Sequence, residues 1–447
     1  MKKYILLFIL CFGILSFSFG QNDNFFLIGD INYGLENEGD SFNDGSVSDD
    51  ADLFDDTDLF DEPKGPFRMK NRMIELGFAN ASLGFSNDFL TAKGIFQKTF
   101  VLDLDELKDG FRMNLNMAVS PFYFSFNRND NWGFGLGTNV QATGLVGLSG
   151  DMLTFKNAKD AKSEIGGAAF VDIGAPFFFH YKNFKIKIKP SFFYPIMYVD
   201  SKESDISYTF KPGVEDTEVK TELKLGYKMR IYTAFPLEGD SFNLTTTVGL
   251  DFHLGTEYPL AKVLGITDKF GFLDFDVGLD MINFPMIPAV MKDYMEIYGK
   301  IGSDEAINFF GDDFDFDNFV DMGDPVYGTA KKRVLRPFKL LTWAGWRPFN
   351  GSELFTVIPT LGFAINPLYL EPFSMEGGIK TRLDLANIFI LTLGVGYEDR
   401  HWKNSAAMAL NLRAFELDLG IDMRSENFAK SWQGAGVGVA VGLKFGW

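Results

Sequence analysis

Residues 217–237 read TEVKTELKLGYKMRIYTAFPL and alternate between two kinds of side chain. The odd positions from Thr217 to Leu237 are mostly apolar or aromatic, whereas the even positions from Glu218 to Arg230 are charged except for Gly226. A period of two places successive side chains on opposite faces of a β-strand. Strands in soluble proteins usually run ~5–6 residues, and strands that cross a membrane need ~9–11. The stretch therefore predicts a membrane-type strand with one face toward lipid and the other toward water.

The same alternation recurs along the chain and is most regular in its last third. Six strands follow one another there: 355–365, 373–383, 389–397, 406–412, 415–423 and 437–447. Counting all such segments predicts an all-β fold, a transmembrane antiparallel β-barrel of about 14–16 strands, since bacterial barrels have even numbers. The 50 Phe and 46 Gly agree with an apolar outer band and an interior of small residues. A secreted sandwich or propeller is the alternative, but it would need shorter strands.

The N-terminus has the features of an export signal. Residues 1–20 join Lys2 and Lys3 to an uncharged apolar stretch with a small-residue exit, which predicts a cleaved signal peptide; an uncleaved anchor is the alternative. The only cysteine, Cys11, lies in that stretch, so the mature chain has no disulfide or thiolate chemistry. Residues 21–66 form an acidic leader, predicted to be disordered or else an interaction tail, and 67–447 form the barrel. Without the two lysines the net charge falls from -18 to -20, which argues against a nucleic-acid partner.

The C-terminus ends in an alternating strand that closes on an aromatic residue. Val441, Leu443, Phe445 and Trp447 share one face, and small residues and Lys444 occupy the other. This pattern resembles the C-terminal strand that the outer-membrane assembly machinery recognises. The alternative is an ordinary edge strand that ends in Trp.

Three segments do not follow the strand pattern. Residues 88–109 have apolar side chains three or four apart, which predicts a short helix, and residues 286–299 are a second helical candidate. The third segment is an acidic loop at 302–325, which follows the second helical candidate in the chain. Its carboxylates have a spacing close to that of a calcium loop, although glycine and the final glutamate are missing. The candidate ligands are Asp313, Asp315, Asp317, Asp321 and Asp324. Ca²⁺ is the one cofactor that the sequence suggests, and a solvated acidic loop is the alternative.

Charged side chains mark the predicted water-facing side of several strands. Opposed charged walls can select solutes in a pore, or the charges can pair and fill a closed interior. The candidate lumen residues are Lys185, Lys187, Lys189, Glu218, Lys220, Glu222, Lys224, Lys228, Arg230, Asp274, Asp276, Asp280, Lys380, Arg382, Glu416, Asp418 and Asp422. The three His lack a recognisable nucleophile motif nearby, so no enzyme is predicted. A hydrolase that uses His180 or His253 is a third hypothesis.

In its build, from about Met73 to Trp447, the chain resembles the FadL-like family of hydrophobic-solute transporters. The shared features are a barrel of about fourteen strands, an N-terminal non-barrel segment, helix-bearing insertions and an aromatic C-terminus. The resemblance implies an outer-membrane protein of a diderm bacterium that contacts lipid and passes small solutes, hydrophobic ones among them. The N-terminal segment departs from the family because it is acidic and too polar for a hatch inside the barrel. The alternative is a surface barrel whose long acidic loop binds a partner.

Overall fold

The computed structural model of the protein describes residues 73–87, 111–128, 132–149, 163–181, 184–211, 222–235, 246–267, 269–303, 320–349, 352, 354–386, 388–412 and 414–446. The described residues form twenty strand segments of a single sheet. The first ten are β1 (Ile74–Asn87), β2 (Phe111–Arg128), β3 (Trp132–Leu148), β4 (Ser163–Gly174), β5 (Phe177–Tyr181), β6 (Phe184–Val199), β7 (Asp205–Lys211), β8 (Glu222–Thr233), β9 (Gly249–Tyr258) and β10 (Asp274–Ile287). The others are β11 (Ala289–Ser303), β12 (Val320–Met322), β13 (Val326–Val334), β14 (Phe338–Arg347), β15 (Phe355–Ile365), β16 (Phe373–Leu385), β17 (Phe389–Glu398), β18 (His401–Leu412), β19 (Phe415–Ser425) and β20 (Gly436–Gly446).

The sheet is a closed antiparallel barrel of 14 spans. It closes because β1 pairs with both β2 and β20. Five spans are interrupted, since β4–β5, β6–β7, β8–β9, β10–β11 and β12–β13–β14 each continue in one direction across a break. For example, β6 pairs with β9 in its first half and with β8 in its last residues. The predicted all-β barrel and its even number of strands are therefore confirmed.

The two ends of the barrel carry different connections. We call the end where β1 begins and β20 stops the near end, and the opposite end the far end. The near-end connections in the last third are short, as the sequence predicts around Gly351, Asn387 and Ala414. A longer near-end connection joins β9 to β10 and contains helix α1 (Leu260–Val263) and a 3₁₀ turn (Gly271–Leu273). Helix α2 (Phe428–Ser431) lies at the far end, between β19 and β20.

Large apolar side chains cover the outer face of the regular strands. Exposed examples at mid-height are Leu361, Ile379, Leu393, Ile421 and Val439. A strand of 11 residues, such as β15, is roughly 36 Å long at ~3.3 Å per residue. At a tilt of ~40° that length covers roughly 28 Å, close to the ~25 Å apolar band of membrane barrels. No described helix is long and apolar enough to span a membrane.

The helix predicted at 286–299 is wrong. Strand β10 runs to Ile287 and β11 starts at Ala289, with only Pro288 between them. Met291 and Met295 are both buried, and a spacing of four residues fits one face of a strand as well as one face of a helix. The acidic loop is also shorter than predicted, because 302–303 belong to β11 and 320–322 to β12. Residues 304–319, the helix predicted at 88–109 and residues 1–72 lie outside the described residues.

The face of β8 that was expected to meet lipid is covered instead. Met229 and Ile231 are buried in one apolar cluster with Ile165, Val199 and Met295. Alternation identified an apolar face correctly, but it does not specify which surface covers that face.

Candidate functional site in the barrel interior

The predicted basic strip on β6 faces the barrel interior, which we call the lumen. Lys185 Nζ lies 2.9 Å from Glu257 Oε1 on the neighbouring β9. Lys189 lies over Gly174, where an added Cβ would come within 2.3 Å of its Cε. Lys187 lies next to Gly255, where an added Cβ would be 3.7 Å from its Cβ. The strip is therefore part of the inner wall, and at Lys185 its charge is paired.

The predicted acidic walls also carry paired charges. On β10, Asp274 and Asp276 accept hydrogen bonds from Arg347 at 2.8 and 2.6 Å. Asp280, which lies closer to the far end on the same strand, has an oxygen 3.9 Å from His253 Nε2. Paired buried charges satisfy each other's hydrogen-bonding groups in a region where water is scarce. This part of the lumen thus follows the paired-network alternative of the sequence analysis.

The regular strands carry further pairs. Lys444 Nζ lies 2.9 Å from Glu416 Oε1 and 3.3 Å from Asp418 Oδ2. Asp422 is engaged at both oxygens by Arg424, at 2.5 and 2.7 Å. The first group connects β19 to β20, whereas the second lies within β19. At the near end Arg382 donates to Asp384 at 3.0 Å.

A buried triad that the alternation did not reveal lies between distant strands. Arg336 donates to Asp251 at 2.7 and 2.6 Å and to Asp172 at 2.7 Å, and its side chain is 3% exposed. Its guanidinium also lies 5.3 Å from the centre of the Phe193 ring. Arg336 occupies the break between β13 and β14, where no strand parity predicts its direction. In the sequence, the only indication that Arg336 has a special role is its position next to Pro337, which interrupts the strand pattern.

An apolar cluster fills the lumen on the side of the interrupted strands. Its members come from six spans and one connection: Leu145, Ala168, Phe170, Phe193, Tyr198, Tyr232, Ala234, Ala289, Met291, Val334, Leu368 and Tyr369. The first ten belong to β3, β4, β6 and the spans through β8, β11 and β13, or to the breaks beside them. We call this group the lumen cluster. Its burial means that this side of the interior is a packed core, which no solute can cross as it stands.

Leu368 and Tyr369 reach the lumen cluster from the opposite wall. They belong to residues 366–372, the far-end connection from β15 to β16, which we call the crossing connection. In the closed ring β15 and β16 lie on the side opposite β2, β3 and β4. Yet Leu370 N–H donates to Glu164 Oε1 at 2.5 Å, and Asn114 Nδ2 lies 3.4 Å from the Tyr369 hydroxyl. The connection therefore spans the width of the lumen.

A cavity remains against the inner wall of β15–β20. It has a volume of about 60 Å³, and small residues such as Gly394, Ser405 and Ala407 form much of its lining. Two lysines, Lys380 and Lys403, also line it. Lys403 Nζ lies 3.6 Å from Glu398 and 4.0 Å from Asp422. For Lys380, the described residues place no carboxylate oxygen within 4.0 Å of Nζ. Lys380 is thus the cavity cation whose charge is least compensated.

The remaining predicted residues are placed as follows. Arg230 donates to Glu296 and Glu203 on the inner side of β8, and Lys228 Nζ lies 3.5 Å from Glu296. Glu222 and Lys224 belong to β8, whereas Glu218 and Lys220 lie outside the described residues. Val441, Leu443 and Phe445 lie on β20, and Trp447 is outside. Of the candidate calcium ligands only Asp321, on β12, and Asp324 are in described segments. The calcium site stays a prediction.

Comparison with known proteins gave structural matches only. No family model and no curated protein matches the sequence. Among solved structures, a FadL homologue of Pseudomonas aeruginosa is 9% identical, with 83% of this chain and 88% of that chain covered and a TM-score of 0.39. The toluene transporter TodX of Pseudomonas putida is 11% identical, with the same coverage and a TM-score of 0.41. The translocator domain of the autotransporter NalP from Neisseria meningitidis is 6% identical, with 84% and 89% covered and a TM-score of 0.28. Similarity this low carries no argument about function.

Proposed function

We propose that the protein is an outer-membrane channel for small solutes, hydrophobic ones among them, and that solutes pass along the inner wall of β15–β20. The supporting observation is the cavity beside Lys380, which lies opposite the packed lumen cluster. Small side chains leave room on this wall, whereas large apolar ones fill the other. The mostly small lining suits an apolar solute, and Lys380 favours a solute or counterion of negative charge.

The apolar outer belt supports the membrane location. Exposed Leu, Ile, Val and Phe side chains surround the regular strands, and such a surface on a water-soluble protein would promote aggregation. Most near-end connections are shorter than most far-end ones, and in outer-membrane barrels short turns face the periplasm. We therefore place the far end, with the crossing connection, at the cell exterior.

The first test is membrane fractionation followed by gel electrophoresis of unboiled and boiled protein. A closed barrel is expected in the outer-membrane fraction with a mobility shift on boiling. Purified protein in planar bilayers should then give discrete conductance steps. A soluble protein, or a barrel that stays silent under all voltages and solutes tried, would contradict the channel proposal.

A second function, binding of a partner at the cell surface, is favoured by how far the interrupted spans extend beyond the membrane. On the outer face of β13, Thr329, Lys331 and Arg333 are exposed, and two of these residues are charged. Charged outer residues belong in water, so β13 extends beyond the apolar belt. A sheet projecting from the membrane could bind a partner, as the surface-barrel alternative requires. A silent barrel that retains a partner through this projection would favour that function.

A further inference from the structure

We propose that the crossing connection, residues 366–372, is the constriction that sets the largest solute admitted to the lumen. This inference rests on the proposed channel function and names the element that determines its size limit. The first reason is position. The connection leaves one wall at the far end, spans the lumen and contacts β2 and β4 on the opposite wall.

The second reason is the closeness of the fit. Leu368 is 1% exposed and Tyr369 is 4% exposed, so the opposite wall receives both side chains. Gly166 on β4 leaves room for the chain, because a Cβ there would lie 2.8 Å from the Leu368 carbonyl oxygen and 3.3 Å from Leu145 Cδ2. Contacts below 3.0 Å to a backbone atom force a shift. Hence any side chain at 166 should displace the connection.

The third reason is a latch formed by the tight turn between β17 and β18. Arg400 donates to the Glu371 carbonyl oxygen, and its guanidinium carbon lies 4.9 Å from the centre of the Tyr369 ring. Asp399 and Arg400 have φ values of 47° and 67°, a conformation that two-residue hairpins require but that usually employs Asn and Gly. Burial raises the pKa of Tyr369, so its hydroxyl stays protonated and donates to the Asp399 carbonyl oxygen at 3.4 Å.

The fourth reason is the size of the cavity along the inner wall of β15–β20. A cavity of about 60 Å³ holds several water molecules, each of which needs roughly 10–15 Å³ by this measure. Sites for drug-sized molecules have ~300–1,000 Å³. Glu398, which lines the cavity, adjoins the latch turn. With the connection in place, passage is limited to ions and very small solutes, and larger ones require its displacement.

A variant without the crossing connection can be designed from the residues that pair where the connection leaves β15 and enters β16. Ile365 pairs with Phe373, and Asn366 N–H donates to the Pro372 carbonyl oxygen at 2.8 Å. Residues 367–371 can therefore be replaced by Asn-Gly, a two-residue hairpin turn that preserves the register of β15 and β16. Wild type and this variant are compared in planar bilayers and in liposome swelling with sugars of increasing size. We expect a severalfold larger conductance and entry of larger sugars.

Point variants test the same idea without shortening the chain. Gly166→Ala should shift the connection from the opposite wall and raise conductance in the same direction. Gly137→Ala on β3 is the matched control, because a Cβ there would meet only ordinary contacts, 3.5 Å from Tyr123 Cδ2 and 3.9 Å from the Phe122 carbonyl oxygen. A Leu368→Cys variant on a Cys11→Ser background reports position, since Cys11 is the only native cysteine. A water-soluble thiol reagent should label it slowly, and faster after Gly166→Ala.

The outcomes separate this inference from the proposed function. If wild type conducts and the Asn-Gly variant conducts no more, the connection is not the constriction, although the channel stands. If neither protein conducts, the channel proposal fails and takes this inference with it. Should the Asn-Gly variant lose its heat-dependent mobility shift, Gly166→Ala and the labelling rates decide. Fast labelling of Leu368→Cys in the otherwise unaltered protein would overturn the crossing geometry itself.

Discussion

The two sides of this barrel close the same ring but use their interiors differently. From β15 to β20 the spans run 10 to 13 residues without a break, and small residues line much of their inner wall. From β4 to β14 the spans are longer and interrupted, and their inner faces pack into the lumen cluster and the Arg336 triad. We call these the regular side and the interrupted side.

The difference shows that one closed sheet can serve as a membrane wall and as the core of a packed domain. Breaks in the long spans allow inner side chains such as Phe193 and Tyr232 to turn toward a common centre. Unbroken short spans instead keep a strict period of two and leave the interior open beside them. Substitutions on the interrupted side should therefore mainly change stability. Substitutions along the cavity of the regular side should mainly change conduction.

Arg336→Leu should have the largest effect on stability. It leaves Asp172 and Asp251 buried and close together without their cation, and breaking a buried pair in this way costs about 3–5 kcal/mol. The measurement is the free energy of unfolding by urea in detergent, with the mobility shift as the marker of the folded barrel. Adding Asp172→Asn and Asp251→Asn should recover much of the loss. As a control, Glu371→Gln removes one partner of an exposed pair and should cost less than about 1 kcal/mol. Equal losses in the two variants would contradict the triad's role.

Ile379→Arg should have the next largest effect. Ile379 is 55% exposed at the middle of β16, where a cation facing lipid costs about 2–4 kcal/mol. Thr329→Arg is the matched variant on the interrupted side. Thr329 is exposed on the outer face of β13, which we place above the belt, so the change should remain within about 0.5 kcal/mol. Unfolding in lipid vesicles measures both. A similar cost at the two positions would mean that β13 also faces lipid.

Arg400→Gly should loosen the latch with little change in overall stability. Glycine adopts the positive φ of this turn without strain, while the cation–π contact with Tyr369, worth about 0.5–1 kcal/mol, is lost. A loss of about 1 kcal/mol shifts an opening equilibrium roughly fivefold. Labelling of Leu368→Cys should accelerate by that factor. An unchanged labelling rate would show that the turn does not hold the crossing connection.

Lys380→Glu should change ion preference while leaving the fold intact. The variant replaces the least compensated cation of the cavity by an anion, so the reversal potential in a KCl gradient should move toward cation selectivity. The mobility shift on boiling should be retained, since no ion pair among the described residues is broken. Lys331→Glu, on the outer face of β13, is the charge-matched control. The same shift from both variants would indicate an overall charge effect and not a local one.

The sequence predicted the regular side well and the interrupted side poorly. The strands 355–365 and 415–423 and the inward faces of Lys185 and Glu416 follow from alternation alone. The helix at 286–299 failed because a spacing of four residues, such as that of Met291 and Met295, fits one face of β11 as well as one face of a helix. The site was predicted as a set of wall charges. Most of them are paired, whereas Lys380 has no carboxylate oxygen within 4.0 Å among the residues that the structure describes, and neither fact could be known without knowing which strands are neighbours.

Alternation is a local property of the chain, and for that reason the sequence by itself determined the strand period, the short turns and the apolar belt. Each depends on the two-residue geometry of a strand and on the match between its apolar face and lipid. Only the tertiary structure decided that the crossing connection reaches β4 and that Arg336 joins Asp172 to Asp251. These contacts join residues 85 to 206 positions apart, and no local pattern encodes such distances. They exist because closing the ring places particular strands across the lumen from one another.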